Sequence, residues 1–176
     1  MWVPRPDAPD PRVLLYSHDG MGLGHFRRTV AVAHALSVRL PEASQLLLTA
    51  VSSIGCSALP CSTEFVRMPG LDKRELFEGN PDLDEHGPSD VFAIREAIIA
   101  AVLDSFRPHL IVVDHAPAGL AGELLPTMRR LRVAKNRPRL VLGLRDIVYG
   151  PEQTRREWAE NGVVDLLEEM YDRILV

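Results

Sequence analysis

The sequence predicts an open, parallel α/β sheet wound with helices on both faces. Short, unbroken apolar runs alternate along the chain with helix-length stretches. Such runs mark strands buried on both faces, as parallel strands are, and strand–helix alternation builds βαβ units. In addition, the polar clusters at 17–28, 114–117 and 145–150 each follow a strand-like run. Ligands in open parallel sheets lie beyond the carboxyl ends of the strands, so the three clusters predict one site.

The elements follow in order. Residues 1–11 carry Pro4, Pro6, Pro9 and Pro11 and read as a flexible arm, leaving 12–176 as one domain. Arg12 to Tyr16 reads as a first strand, and residues 26–40 as an alanine-rich helix stopped by Pro41. Gln45 to Val51 predicts a second strand. Ser52 to Ser62 is a loop or short helix. Thr63 to Met68 alternates and predicts a third strand. Residues 69–89 are polar and broken by Pro and Gly, a loop length usually tied to function or disorder. Ser89 is a candidate N-cap for a helix reaching Phe106. Leu110 to Val113 is the strongest strand signal and runs straight into Asp114-His115. Ala118 to Leu131 is helical in composition, with Pro126 able to kink it. Arg139 to Leu144 predicts a strand, Pro151-Glu152 opens one helix carrying Trp158 to Met170, and Ile174-Leu175-Val176 closes with a strand.

Composition narrows the function. The chain has 176 residues, 46% hydrophobic and 25% charged, enough for a core without covalent staples. The net charge of -4 and the lack of basic blocks argue against nucleic-acid binding. The two cysteines, Cys56 and Cys61, stand without His or Cys at zinc-ligand spacing and are expected as free thiols. No apolar run reaches the roughly 18 residues of a membrane span, and no leader-like segment is evident. A cytoplasmic setting is expected.

The chemistry concentrates in Ser17-His18-Asp19-Gly20-Met21-Gly22-Leu23-Gly24-His25-Phe26-Arg27-Arg28, between the first strand and first helix. A glycine turn opening a helix presents backbone N–H groups and a positive helix end to an anion. Glycines at alternate positions let the main chain approach a ligand closely. The spacing is neither a dinucleotide fingerprint nor a P-loop, because the required third glycine or Gly-Lys-Ser/Thr is missing. A turn needed only for strand–helix packing is the competing reading.

His25 and Asp114 are the candidate catalytic pair. An imidazole can take a proton from a substrate hydroxyl, and a carboxylate at a strand end can orient it and stabilise its charged form. The bland alternative for Asp114 is a cap on the following turn. Gly22, Gly24, Arg28, Asp19 and Arg145 are the candidate substrate-binding residues. Arg28 is equally readable as a solvated helix residue, and Arg145-Asp146 as a surface ion pair worth about 0–1 kcal/mol. His18 and His115 share the rim, yet the spacing fits no metal motif. Ser17 lies in no nucleophile elbow. No metal and no cofactor are expected.

Gly22-x-Gly24-His25-x-x-Arg28, followed by the alanine-rich helix, resembles the amino-terminal half of GT-B glycosyltransferases, above all the family-28 type. Val112-Val113-Asp114, Leu144-Arg145-Asp146-Ile147 and the closing Tyr171 to Val176 extend the resemblance along the chain. The glycine–histidine piece is also similar to a nucleotide-sugar hydrolase of the same fold.

The resemblance implies a Rossmann-like domain forming one half of a GT-B fold. This half would bind a sugar or lipid-linked acceptor, and a second domain or partner chain would bring the nucleotide-sugar donor. His25 would be the base, Asp114 its helper, and the glycine loop a holder of anionic groups. Transfer would be inverting and metal-independent. The donor domain and its glutamate-bearing motif are not in the sequence, so the domain is expected to be incomplete alone. Peripheral association with the inner membrane face is a further expectation. A nucleotide-sugar hydrolase or epimerase and a non-catalytic partner subunit are the alternatives.

Overall fold

The computed structural model of the chain describes residues 10–18, 23–51, 59–70, 88–144, 151–160 and 162–176. The elements are β1 (Arg12–Ser17), α1 (Leu23–Arg39), β2 (Ser44–Thr49), β3 (Thr63–Arg67), α2 (Pro88–Phe106), β4 (Leu110–Asp114), a 3-10 turn (Leu120–Gly122), α3 (Leu125–Arg132), β5 (Arg139–Gly143), α4 (Pro151–Glu160), α5 (Val163–Met170) and β6 (Arg173–Leu175). The six strands form one sheet in the order β3-β2-β1-β4-β5-β6. All five pairings are parallel. The chain winds outward from β1 to β3, returns, and winds the other way from β4 to β6. The carboxyl ends of β1 and β4 therefore flank the point where strand order reverses, the usual crevice of such sheets.

β1 shows why the runs are unbroken. Val13, Leu15 and their neighbour Leu47 pack against Phe26, Val30 and Ala33 of α1. Leu14 and Tyr16 face the other way, onto a core built with Ile99 and Leu103 of α2, Met128 of α3 and Leu167 of α5. Alternate side chains leave opposite faces of a strand, and both faces here are covered. Leu15, Leu47 and Leu142 are fully buried.

The structure departs from the sequence reading in four places. First, α1 starts at Leu23, inside the glycine-rich stretch, so Gly24 and His25 lie in its first turn. Second, Ala118 to Leu131 is not one helix. Gly119 and Gly122 sit at φ 76° and 86°, conformations that side chains with a Cβ rarely adopt. The chain makes a 3-10 turn there and restarts as α3. Pro126 falls in the first turn of α3, where a missing N–H removes no helix bond. Third, the 151–170 helix breaks at the left-handed Gly162 into α4 and α5. Fourth, α2 begins at Pro88, which puts Ser89 inside its first turn.

The proline arm through residue 9 and the loop 71–87 lie outside the described residues, as does Cys56. Cys61 is an exposed free thiol. No helix among the described residues is long and apolar enough to cross a membrane.

Candidate functional site

The site is assembled by strands that end at the same level. β1 delivers Ser17 and His18, β4 delivers Asp114 and His115, β5 delivers Gly143 and Leu144, and α1 returns over them with His25 and Arg28. Phe26 is fully buried against β1 and so sets the rotation of α1. That rotation carries its neighbour His25 to the strand end, where the Thr29 hydroxyl donates to the His25 carbonyl at 3.0 Å.

His25 Nδ1 lies 2.5 Å from Asp114 Oδ2. A carboxylate accepts, so Nδ1 donates and the lone pair of the neutral ring is on Nε2. Asp114 is nearly buried, and its second oxygen faces Arg28 Nε at 3.5 Å. Arg28 in turn donates from Nη2 to the Leu144 carbonyl at 2.6 Å. The guanidinium crosses the face of Gly143. A Cβ at Gly143 would stand 3.0 Å from Nη2, so the glycine leaves room for the arginine. The carboxylate faces the helix that carries His25 and Arg28; it does not serve only as a turn cap.

Two further imidazoles surround His25. Its ring centroid is 5.0 Å from that of His18 and 5.3 Å from that of His115. His115 occupies the left-handed region at φ 63°, with its N–H donating to the Gly143 carbonyl at 2.8 Å. A histidine in that region costs about 1–3 kcal/mol, and such strain clusters at functional sites. Among the described residues no group of three or more His, Cys, Asp or Glu side chains is arranged to hold a metal ion.

No protein-family model and no curated protein sequence matches the chain. Among solved structures, the chain is similar to the crystal structure of SsfS6, a glycosyltransferase of Streptomyces sp. SF2575. The identity is 18% and the TM-score 0.48, over 94% of this chain and 50% of that one. The chain thus spans about half the length of that protein.

Of the residues singled out from sequence, the structure brings together His25, Asp114, Arg28 and, in the same first helical turn, Gly24. Gly24 is exposed, and among the described residues nothing lies within 4 Å of where its Cβ would be. Asp19, Gly22 and Arg145 lie outside the described residues. Beside Asp114 and Arg28 opens a cleft of about 250 Å³ walled by Val112, Val141 and Leu175.

Sequence reasoning missed a second polar cluster just under this rim. Arg95 of α2 and Glu123 after the 3-10 turn are both fully buried and ion-paired. The Tyr16 hydroxyl donates to the same carboxylate. Burial, then the Glu123 charge, push the Tyr16 phenol well above its ordinary range. Burial alone would lower the Arg95 pKa, but the Glu123 hydrogen bond and charge raise it on balance. The sequence carried one signal. Arg95 stands four residues before Ile99 on the buried stripe of α2, where a charge needs a partner.

Proposed function

We propose that this chain is the acceptor-binding domain of a glycosyltransferase moving a sugar from a nucleotide sugar to an acceptor hydroxyl. The observation carrying this reading is the His25–Asp114 contact of 2.5 Å at the carboxyl end of the sheet, beside an exposed glycine backbone. The resemblance of the Gly-x-Gly-His-x-x-Arg stretch supports the choice of sugar transfer among the reactions a base could serve.

In this reading the acceptor hydroxyl approaches Nε2 of His25. The imidazole takes the proton as the oxygen bonds to the anomeric carbon. The bond from that carbon to the nucleotide's phosphate oxygen breaks, and its electron pair leaves with the diphosphate. Attack opposite the leaving group inverts the configuration. Asp114 holds the imidazole in the donor-at-Nδ1 tautomer and stabilises the imidazolium. Arg28, anchored by its bond to the Leu144 carbonyl, holds the carboxylate in place. The nucleotide-sugar donor is brought by a second domain or a partner chain, so the domain is incomplete alone.

The test is His25→Ala in the enzyme reconstituted with its donor-binding part. Turnover is expected to fall about 10²–10⁴-fold, the usual worth of a positioned base. Wild-type turnover would remove His25 from this role. Incubation with a nucleotide sugar and no acceptor separates transfer from hydrolysis. Rapid release of free sugar would make water the acceptor.

A further inference from the structure

We infer that Arg95 is a positioning residue whose guanidinium, held by Glu123, ties the chain leaving β1, β3 and β4 into one rim that places the imidazoles. The inference rests on His25–Asp114 as the reacting pair. Arg95 donates from Nε and Nη2 to the two oxygens of Glu123, the second at 2.6 Å. Its Nη1 donates to the Pro69 carbonyl at 2.6 Å, just beyond β3. Its Nη2 also reaches the His18 carbonyl at 3.5 Å, just beyond β1. Tyr16, next to last in β1, joins that strand's end to the 3-10 turn, donating to Glu123 and accepting from the Leu120 N–H at 3.3 Å. Three strand exits therefore meet at one buried cation.

Stability alone does not explain this choice of residues. The surrounding core is aliphatic: Leu14, Ile99, Leu103 and Val113 lie on the same face. Exchanging a buried ion pair for apolar side chains of similar volume often leaves stability equal or better. Apolar side chains cannot hydrogen-bond the carbonyls of two separate loops. A planar guanidinium can fork to a carboxylate and still donate outward; an ammonium cannot reproduce that fork. One of those carbonyls belongs to His18, whose ring faces His25. The 3-10 turn is closed tightly around the network. A Cβ on Gly119 would stand 2.9 Å from Glu123 Cγ, Leu124 Cγ and the Tyr16 hydroxyl.

The decisive variant is the double replacement Arg95→Met with Glu123→Met, which removes both charges together. Arg95→Lys and Tyr16→Phe accompany it. Imidazole resonances of His18, His25 and His115 are followed by NMR through a pH titration, with thermal unfolding in parallel. Turnover is then measured in the reconstituted enzyme. The folded double variant is expected to shift the His18 and His25 resonances and titration midpoints. It is also expected to lose about 10–100-fold in kcat, as loss of an outer supporting group does, with a smaller change in acceptor KM. Arg95→Lys should fall between it and wild type. Unchanged imidazole titration in the folded double variant overturns the inference. If that variant does not fold, unchanged titration in both Arg95→Lys and Tyr16→Phe overturns it. The titration needs no sugar donor, so it stands or falls apart from the proposed reaction.

Discussion

Asp114 and Glu123 leave the same strand end of β4, both bonded to an arginine, and they work in opposite surroundings. Asp114 closes β4 at the rim, where its partners His25 and Arg28 keep 11% and 34% of their side chains exposed. Glu123 lies just after the 3-10 turn, sealed with Arg95 and Tyr16 beneath the rim, where none of them meets solvent. Solvent contact gives the first carboxylate a neighbour that can exchange protons with a ligand. Its absence makes the second a fixed counter-charge, because changing the protonation of one buried partner leaves the other uncompensated. The two carboxylates teach that an acid near a site is assigned by what its partner can reach, not by its own burial.

The largest effect is expected at the rim. Asp114→Asn keeps the shape of the side chain but cannot stabilise an imidazolium. Transfer should fall about 10²–10⁴-fold, measured by product formation in the reconstituted enzyme, while unfolding in urea should lose only about 1–3 kcal/mol.

The sealed pair should show the reverse emphasis. Arg95→Met alone strands Glu123, and chemical denaturation at neutral pH should report a loss of about 3–5 kcal/mol. A loss no larger than that of the double replacement Arg95→Met with Glu123→Met would show that Glu123 is not the group left uncompensated.

A backbone change beneath the same network should cost less. Gly119→Ala forces a Cβ into φ 76° and against Glu123 and Tyr16, for about 1–3 kcal/mol by urea titration. Stability as good as wild type would mean that the 3-10 turn reshapes without loss.

The smallest effect belongs to the far end of the sheet. His109 Nδ1 accepts the Arg12 N–H at 3.0 Å. Burial, then the Arg12 charge, hold its pKa below the ordinary histidine value. The folded state therefore favours the neutral ring. Its contribution is present above an unfolded pKa of about 6.5 and is lost as pH falls through the lower folded value. Thermal unfolding of His109→Gln across that window should show a flatter pH slope, with transfer unaffected. A slope equal to wild type would assign the pH response elsewhere.

Much of the sheet was legible because burial on both faces writes itself as unbroken apolar runs: β1, β4 and β5 lie where those runs lie. His25 and Asp114 were each legible as polar groups at a strand end. The buried triad was not. Arg95 sits in a helix whose other stripe residues are Ile, Val and Leu, and Glu123 sits among glycine and leucines that read as helix. The Gly119 and Gly122 turn was hidden for the same reason. Composition averaged over a window suggests helix, while two residues at positive φ decide the path locally.

By itself, the order of residues determined the alternation of strand and helix, the glycine-rich entry to α1 and the kinds of side chain waiting at the strand ends. These follow from local periodicity and from the stereochemistry of glycine and proline, which act over a few residues. Long-range packing brings His25 to Asp114, Arg28 across Gly143, and Arg95 to Glu123 and Tyr16. Those meetings depend on strand order, sheet register and the rotation of α1 about Phe26, all set by the packing of side chains distant along the chain.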